Sequence, residues 1–141
     1  MNYDQFLKNN LIKKVKPDAD QIRHQIKRSD QDLETAQANL TIDTTWSLTI
    51  AYHAMIRACR ALMYAQGYLP TAHQTHKTLV EFTKAFLGEK YSSLVAKLNR
   101  LRRRRHGFIY DAQNHVNVEE ARSALAAAKE LIVQIKKIVH K

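Results

Sequence analysis

Five arginines and one histidine lie within residues 100–111, which read RLRRRRHGFIYD. Guanidinium groups bind phosphoryl oxygens, and imidazole titrates near neutral pH, so the stretch is either a solvated charge run or a working site. At 100° per residue Arg105 falls within an apolar helical stripe of Leu94, Leu98, Leu101 and Phe108. A cation there is costly unless it is paired or open to water. Arg105 therefore either reaches solvent where the core ends or lines a cleft.

The neighbouring arginines divide between two directions around the same helix. Arg102 flanks the apolar stripe beside Val95 and Ile109, whereas Arg103 and Arg104 point away from it. We expect the latter two to be solvated. Arg105 is the candidate that binds phosphate, and Arg102 is a candidate that assists it.

A second helix, at about residues 44–66, carries four polar side chains on one face at helical spacing. They are His53, Arg57, Arg60 and Tyr64. A solvent face usually mixes acids with bases, but this helix contains no acid. The pattern fits the wall of an anion-binding groove, a polar seam with a partner helix or an ordinary solvent face. The four residues are candidates for substrate binding.

The overall charge favours a polyanionic partner. The formal net charge is +10, and residues 44–80 and 94–110 contain no Asp or Glu. A local field of one sign attracts nucleic acid, although an acidic protein would also fit and the charge could be incidental.

Several other classes of function lack support in the sequence. His73 and His76 form an H-x-x-H pair without further ligands, which is a weak zinc signal. We expect Thr75 and His76 to cap a helix or to hydrogen-bond across the core. Gly-rich phosphate loops, G-x-S-x-G and paired carboxylates are missing, which argues against a nucleotide-hydrolysing enzyme or a glycosidase. We expect no metal and no cofactor. With one cysteine and no membrane span, we expect a cytoplasmic protein.

Helical periodicity predicts the elements that must position these residues. The composition, with three glycines and two prolines, favours helices. We predict a short helix over residues 2–15, a break at 68–70, and longer helices at about 18–40, 44–66, 75–87, 90–109 and 117–138. The predicted fold is all-α, an antiparallel four- to five-helix bundle in one domain of residues 1–141 with its core at about 18–138.

Four segments together resemble the HEPN family (higher eukaryotes and prokaryotes nucleotide-binding). They are TTWSLTIAYHAMIRACRALMYAQGYLP, TAHQTHKTLVEF, LRRRRHGFIYD and EEARSALAAAKELI. The resemblance implies a helical bundle that is often a homodimer and that binds RNA or nucleotides. Many members are metal-independent endoribonucleases, frequently the toxin of a toxin–antitoxin pair. Others are non-catalytic partners of a minimal nucleotidyltransferase, which in such a pair acts as the antitoxin.

The resemblance also implies where catalysis would occur. Catalytic members carry an arginine, four to six residues and then a histidine. Arg105 matches this pattern with its polar neighbour His106, but Tyr110 stands where the histidine is expected, while Arg100 and His106 match by spacing alone. Arg105, His106 and Tyr110 are therefore the catalytic candidates.

The change from histidine to tyrosine bears directly on the chemistry. Metal-free RNA cleavage requires a base for the 2′-hydroxyl proton and an acid for the leaving oxygen. Tyrosine, with a pKa of about 10, is a poor base at neutral pH. We expect Tyr110 to position the ligand and His106 to be the candidate base.

Overall fold

The computed structural model describes residues 3–110 and 115–140, without the side chains of His106, Phe108, Ile109 and Tyr110. In this part of the chain the elements are α1 (Tyr3–Lys8), β1 (Ile12–Lys14), α2 (Ala19–Asn39), α3 (Thr44–Ala65), β2 (Tyr68–Pro70), α4 (Thr75–Leu87), a 3₁₀ turn (Glu89–Tyr91), α5 (Ser92–Tyr110) and α6 (Val118–Val139). Five long helices, α2–α6, form the bundle. The predicted all-α helical bundle is confirmed.

The helix boundaries follow from local hydrogen bonds that the sequence encodes. Asp18, Asp43 and Asn117 are the N-caps of α2, α3 and α6, and each side chain accepts a hydrogen bond from a backbone N–H of the first turn. Gly67 follows α3 with φ of 90°, and Gly88 follows α4 with φ of 77°. Glycine adopts this left-handed backbone without steric cost, so both helices end where the sequence predicts.

Helix α3 is the centre of the bundle and packs against α2, α4, α5 and α6. Its side chains at Ala51, Ala54, Ala58 and Ala61 are completely buried. Small side chains allow neighbouring helices to approach closely. At the α2–α3 interface the Ser29 hydroxyl donates to the carbonyl of Ala54 at 2.7 Å, which satisfies a buried polar group. This packing holds the polar face of α3 in a fixed position.

The N-terminal segment differs from the predicted short helix over residues 2–15. Only Tyr3–Lys8 is helical, and Ile12–Lys14 forms an antiparallel pair with Tyr68–Pro70, with Ile12 opposite Pro70. The segment predicted only as a break is therefore β2. Three-residue strands are stabilised by tertiary pairing, which local periodicity does not reveal.

Aromatic packing attaches this N-terminal segment to α4. The Tyr3 ring stacks on the Phe82 ring of α4, with centroids 4.8 Å apart. The ring of the fully buried Phe6 lies 6.1 Å from that of Phe82. None of the described helices combines the length and the hydrophobicity that a membrane span requires.

Candidate functional site

The guanidinium of Arg105 lies against two side chains from other helices. Its Nη1 is 2.9 Å from Nδ1 of His76, at the start of α4, and its Cζ is 5.9 Å from the ring centroid of Tyr52 in α3. The Tyr52 hydroxyl is 2.8 Å from the same His76 Nδ1. Three helices thus bring one cation, one imidazole and one phenol together.

The partners of His76 fix its protonation state. Arginine can only donate hydrogen bonds, so Nδ1 must be an acceptor and the ring proton must lie on Nε2. Burial, and then the positive charge of Arg105, lower the pKa of His76 from 6.5 to about 4. At neutral pH the imidazole is therefore neutral and holds Arg105 without cancelling its charge.

Tyr52 supports the same arrangement from inside the core. It is completely buried, and burial raises the pKa of its phenol, an effect that the nearby Arg105 opposes. The hydroxyl therefore stays protonated. Its ring provides an apolar face for the guanidinium, as in a cation–π contact. A buried core residue of α3 is thus also a partner of Arg105.

Arg105 is partly buried rather than alone in bulk water. It lies between Tyr52 and His76. That it lines a cleft where the core ends stays a prediction. Among the described residues, no carboxylate forms an ion pair with it. In this part of the chain its guanidinium therefore contacts neutral groups that do not cancel its positive charge.

His53 lies beside this cluster on the polar face of α3. Its ring centroid is 6.3 Å from that of His76 and 5.7 Å from that of Tyr52. Burial is the largest cause that lowers the pKa of His53; Arg105 lowers it further, and Asp32 opposes this effect. Two partly buried, neutral imidazoles therefore lie near the Arg105 guanidinium.

Arg57, one turn further along α3, has a different environment. Its Nε is 2.8 Å from Oδ2 of Asp32 in α2, and Arg28 approaches the other carboxylate oxygen at 3.2 Å. The acid missing from α3 is thus supplied by the neighbouring helix. Sequence periodicity treats each helix separately, so it gave no sign of Asp32.

The remaining candidates on α3 and α5 are more dispersed. Arg60 is half-buried, and burial followed by the charge of Arg57 lowers its pKa. Tyr64 packs against the edge of the core. Arg102 Nε donates to Oδ1 of Asn99 at 3.0 Å, and Arg102 is also among the charges that lower the pKa of His76.

The predicted solvated arginines are both exposed, but one of them is paired. Arg104 Nη1 lies 2.7 Å from Oε2 of Glu120 in α6, which connects α5 to the start of α6. His106 and Tyr110 belong to the last turns of α5, and their side chains lie outside the described residues. Their predicted roles stay predictions.

The described residues contain no group of three or more metal-ligating side chains. His73 is exposed, and His76 bonds to Tyr52 across the core, as one of the sequence alternatives expects. Thr75 donates to the carbonyl of Thr71 rather than capping α4 through its own side chain. Cys59 is completely buried, and burial raises its pKa to about 12, so it is an unreactive core residue.

Comparison with protein families identifies the family of the chain. The HEPN domain model matches residues 22–138, which is most of the chain. The chain belongs to the HEPN family. A search of curated proteins finds no match. Family membership supports a function related to nucleotides or RNA, in a family whose members often form dimers.

Proposed function

We propose that this HEPN domain binds the phosphate groups of RNA at Arg105. The observation that carries the proposal is the contact of Arg105 with His76 and Tyr52, because neutral partners hold the guanidinium and leave its charge available. Phosphate binding would replace or extend the His76 contact with charge-assisted hydrogen bonds. Arg102, with its Nε bonded to Asn99, assists from the next turn of α5.

The half-buried face of α3 supports the same proposal. His53 and Arg60 lie close enough to the cluster to affect its titration, and both are deprived of part of their hydration. Groups already partly desolvated lose less hydration when an anion binds. His53, Arg57, Arg60 and Tyr64 remain the candidates that line the approach to Arg105, with Arg57 the weakest because Asp32 offsets its charge.

We further propose that the domain is a metal-independent endoribonuclease and the toxin of a toxin–antitoxin pair. In this role Arg105 would stabilise charge on the phosphoryl oxygens, His106 would be the base, and Tyr110 would position the ligand. The family precedent and the environment of Arg105 support this role. A homodimer would bring two such sites into one molecule.

Measurements of RNA binding and RNA cleavage in EDTA test both the RNA-binding proposal and the endoribonuclease proposal. Wild type is compared with Arg105→Ala and with Lys27→Ala, which removes one exposed positive charge on α2. We expect Arg105→Ala to lose binding and cleavage while Lys27→Ala retains both. Equal cleavage by wild type and Arg105→Ala would reject the catalytic role of Arg105. Binding without cleavage by wild type would reject the nuclease but leave the RNA-binding domain.

The alternative is a non-catalytic partner of a minimal nucleotidyltransferase. The sequence observation that favours it is Tyr110, which occupies the place of the expected histidine and carries a hydroxyl that such an enzyme could modify. Co-expression with a nucleotidyltransferase encoded beside this gene, followed by mass spectrometry, tests it. A nucleotide adduct that is absent from Tyr110→Phe would support the alternative, and an unmodified protein that does not co-purify would reject it.

A further inference from the structure

A groove of about 620 Å³ lies between α4 and α5, adjacent to the Arg105 cluster. Four basic side chains line it, Lys77, Lys84, Arg102 and Arg103, against a single acid, Glu81. Lys77 directly follows His76 in α4, and Arg102 is close enough to lower the pKa of His76. Two residues that line the groove, Lys77 and Arg102, therefore lie next to the site at which we propose that phosphate binds.

Among the described residues, Glu81 is the one carboxylate that lies beside these four basic side chains, so the groove keeps an excess of positive charge. In the part of the chain that the structure describes, none of these four basic residues forms an ion pair with a carboxylate. Six other basic residues do, namely Arg23, Arg28, Arg57, Arg104, Arg122 and Lys136. An excess of positive charge along one groove attracts an extended anion.

The length of the groove indicates the kind of anion. It extends along α5 from Ser92 to Arg103, and the rise of a helix makes this distance roughly 16 Å. That is longer than one phosphate group. The Ser92 and Ser93 hydroxyls at the far end can donate to phosphate oxygens, as such side chains commonly do in nucleic-acid complexes. One mononucleotide at Arg105 would leave most of these groups unused.

The lining also indicates what is recognised. The described residues around the groove include Val80, Val95 and Ala96 but no aromatic side chain on which a base could stack. Binding would therefore depend on the sugar–phosphate backbone and would carry little sequence information. Asn99 accepts a hydrogen bond from Arg102 inside the groove and so restricts the direction of its guanidinium.

From these observations we propose that the α4–α5 groove binds the phosphates that flank the one held at Arg105. The ligand is then a polynucleotide chain rather than a free nucleotide. This inference rests on the proposed function of Arg105 and goes beyond it by assigning a second, contiguous binding site. Lys84 and Arg103 would contact backbone phosphates remote from the reacting one.

The test is the affinity of the full chain for a mononucleotide and for single-stranded RNA of increasing length, measured by fluorescence anisotropy at several salt concentrations. The groove variant is Lys84→Ala/Arg103→Ala, in which both residues are exposed and can be replaced without disturbing the core. The matched control is Lys27→Ala/Lys129→Ala, which removes the same charge from exposed positions of α2 and α6.

We expect wild type and the control to bind longer RNA more tightly than the mononucleotide. The groove variant should bind the mononucleotide as wild type does and bind long RNA roughly tenfold more weakly. Its plot of log affinity against log salt should be shallower by about 0.7 for each phosphate that the variant no longer neutralises. Equal losses in the groove variant and the control would overturn the proposal, because net charge would then explain the effect.

Two other outcomes separate this proposal from the one it rests on. If Arg105→Ala abolishes binding of every ligand but the groove variant keeps the full length dependence, Arg105 remains the site and the groove proposal fails. If Arg105→Ala changes nothing, both fail. Competition with polyaspartate matched in charge to the RNA provides a last check. If polyaspartate displaces bound RNA as effectively as unlabelled RNA does, the ligand of the groove is an acidic protein and the assignment to RNA is overturned.

Discussion

Arg57 and Arg105 are both partly buried arginines at helix interfaces, but their partners differ in charge. Arg57 bonds to the carboxylate of Asp32, whose side chain is only 13% exposed and also accepts Arg28. Arg105 is held by the neutral imidazole of His76 and the ring of Tyr52. The first arrangement neutralises a cation and connects α2 to α3. The second orients a cation without neutralising it, which is the basis for the proposed binding of phosphate at Arg105.

This difference shows why the number of arginines in a stretch is a poor guide to function. The four consecutive arginines of α5 divide into one held by neutral groups, one paired with Glu120, and two that face the α4–α5 groove. The environment that each side chain meets on neighbouring helices decides whether it stabilises the fold or binds a ligand.

The largest expected effect is on RNA affinity. Arg105→Ala should weaken binding by about 1.5–3 kcal/mol, roughly tenfold to a hundredfold, because a charge-assisted bond to phosphate is lost. Arg57→Ala should weaken it less, because Asp32 already offsets that charge. Anisotropy titrations of the two variants against the same RNA measure the ratio. A larger loss in Arg57→Ala would reverse the assignment of the two arginines.

Arg105 was identified from sequence because its position conflicts with the apolar stripe around it. Its partners could not be found in the same way. Tyr52 and His76 are 24 residues apart and lie on different helices, and Asp32 is 25 residues from Arg57. Contacts of this kind depend on how helices pack. By contrast, the caps at Asp43 and Asn117 were predictable because their hydrogen bonds span three residues.

The distance in sequence between contacting residues also explains why the helix predicted over residues 2–15 was wrong. Residues 12–14 and 68–70 each lack a pattern long enough to identify a strand, and they pair only because α2 and α3 bring them together. The helices α2–α6, which are long and periodic, were placed to within about two residues.

The next largest effect is on stability, where Arg57 rather than Arg105 is the arginine that matters. Arg57→Ala should lower the free energy of unfolding by about 1–2 kcal/mol, because Asp32 loses one of its two cationic partners while remaining mostly buried. Arg122→Ala is the matched control, since it breaks an exposed pair with Glu119 and should cost about 0.5 kcal/mol or less. Urea unfolding followed by circular dichroism measures both. Equal losses would mean that Asp32 is adequately hydrated without Arg57.

A pH titration tests the neutral partner of Arg105. The folded-state pKa of His76 is about 4, below the ordinary value of 6.5, so between these limits the unfolded chain binds a proton that the folded chain does not. Stability should therefore be constant above pH 6.5 and fall as the pH decreases towards 4. His76→Gln should flatten this part of the curve, whereas His24→Gln, at an exposed position of α2, should leave it unchanged. Identical curves for all three proteins would show that folding does not lower the pKa of His76.

The smallest expected effect is an increase in RNA affinity when an acidic side chain is removed from the α4–α5 groove. Glu81 is the one carboxylate among the described residues that line the α4–α5 groove, where it partly offsets the charge of the groove lysines as Asp32 offsets that of Arg57. Glu81→Gln should raise the affinity for long RNA by about twofold, as expected for one partly screened charge. Glu130→Gln, at an exposed position on α6, changes the net charge equally and should raise the affinity less. Equal gains in affinity for the two variants would show that the protein attracts RNA through its total charge. Whether a basic side chain has a carboxylate partner among the described residues, as Arg57 does and Arg105 does not, would then have no consequence for binding.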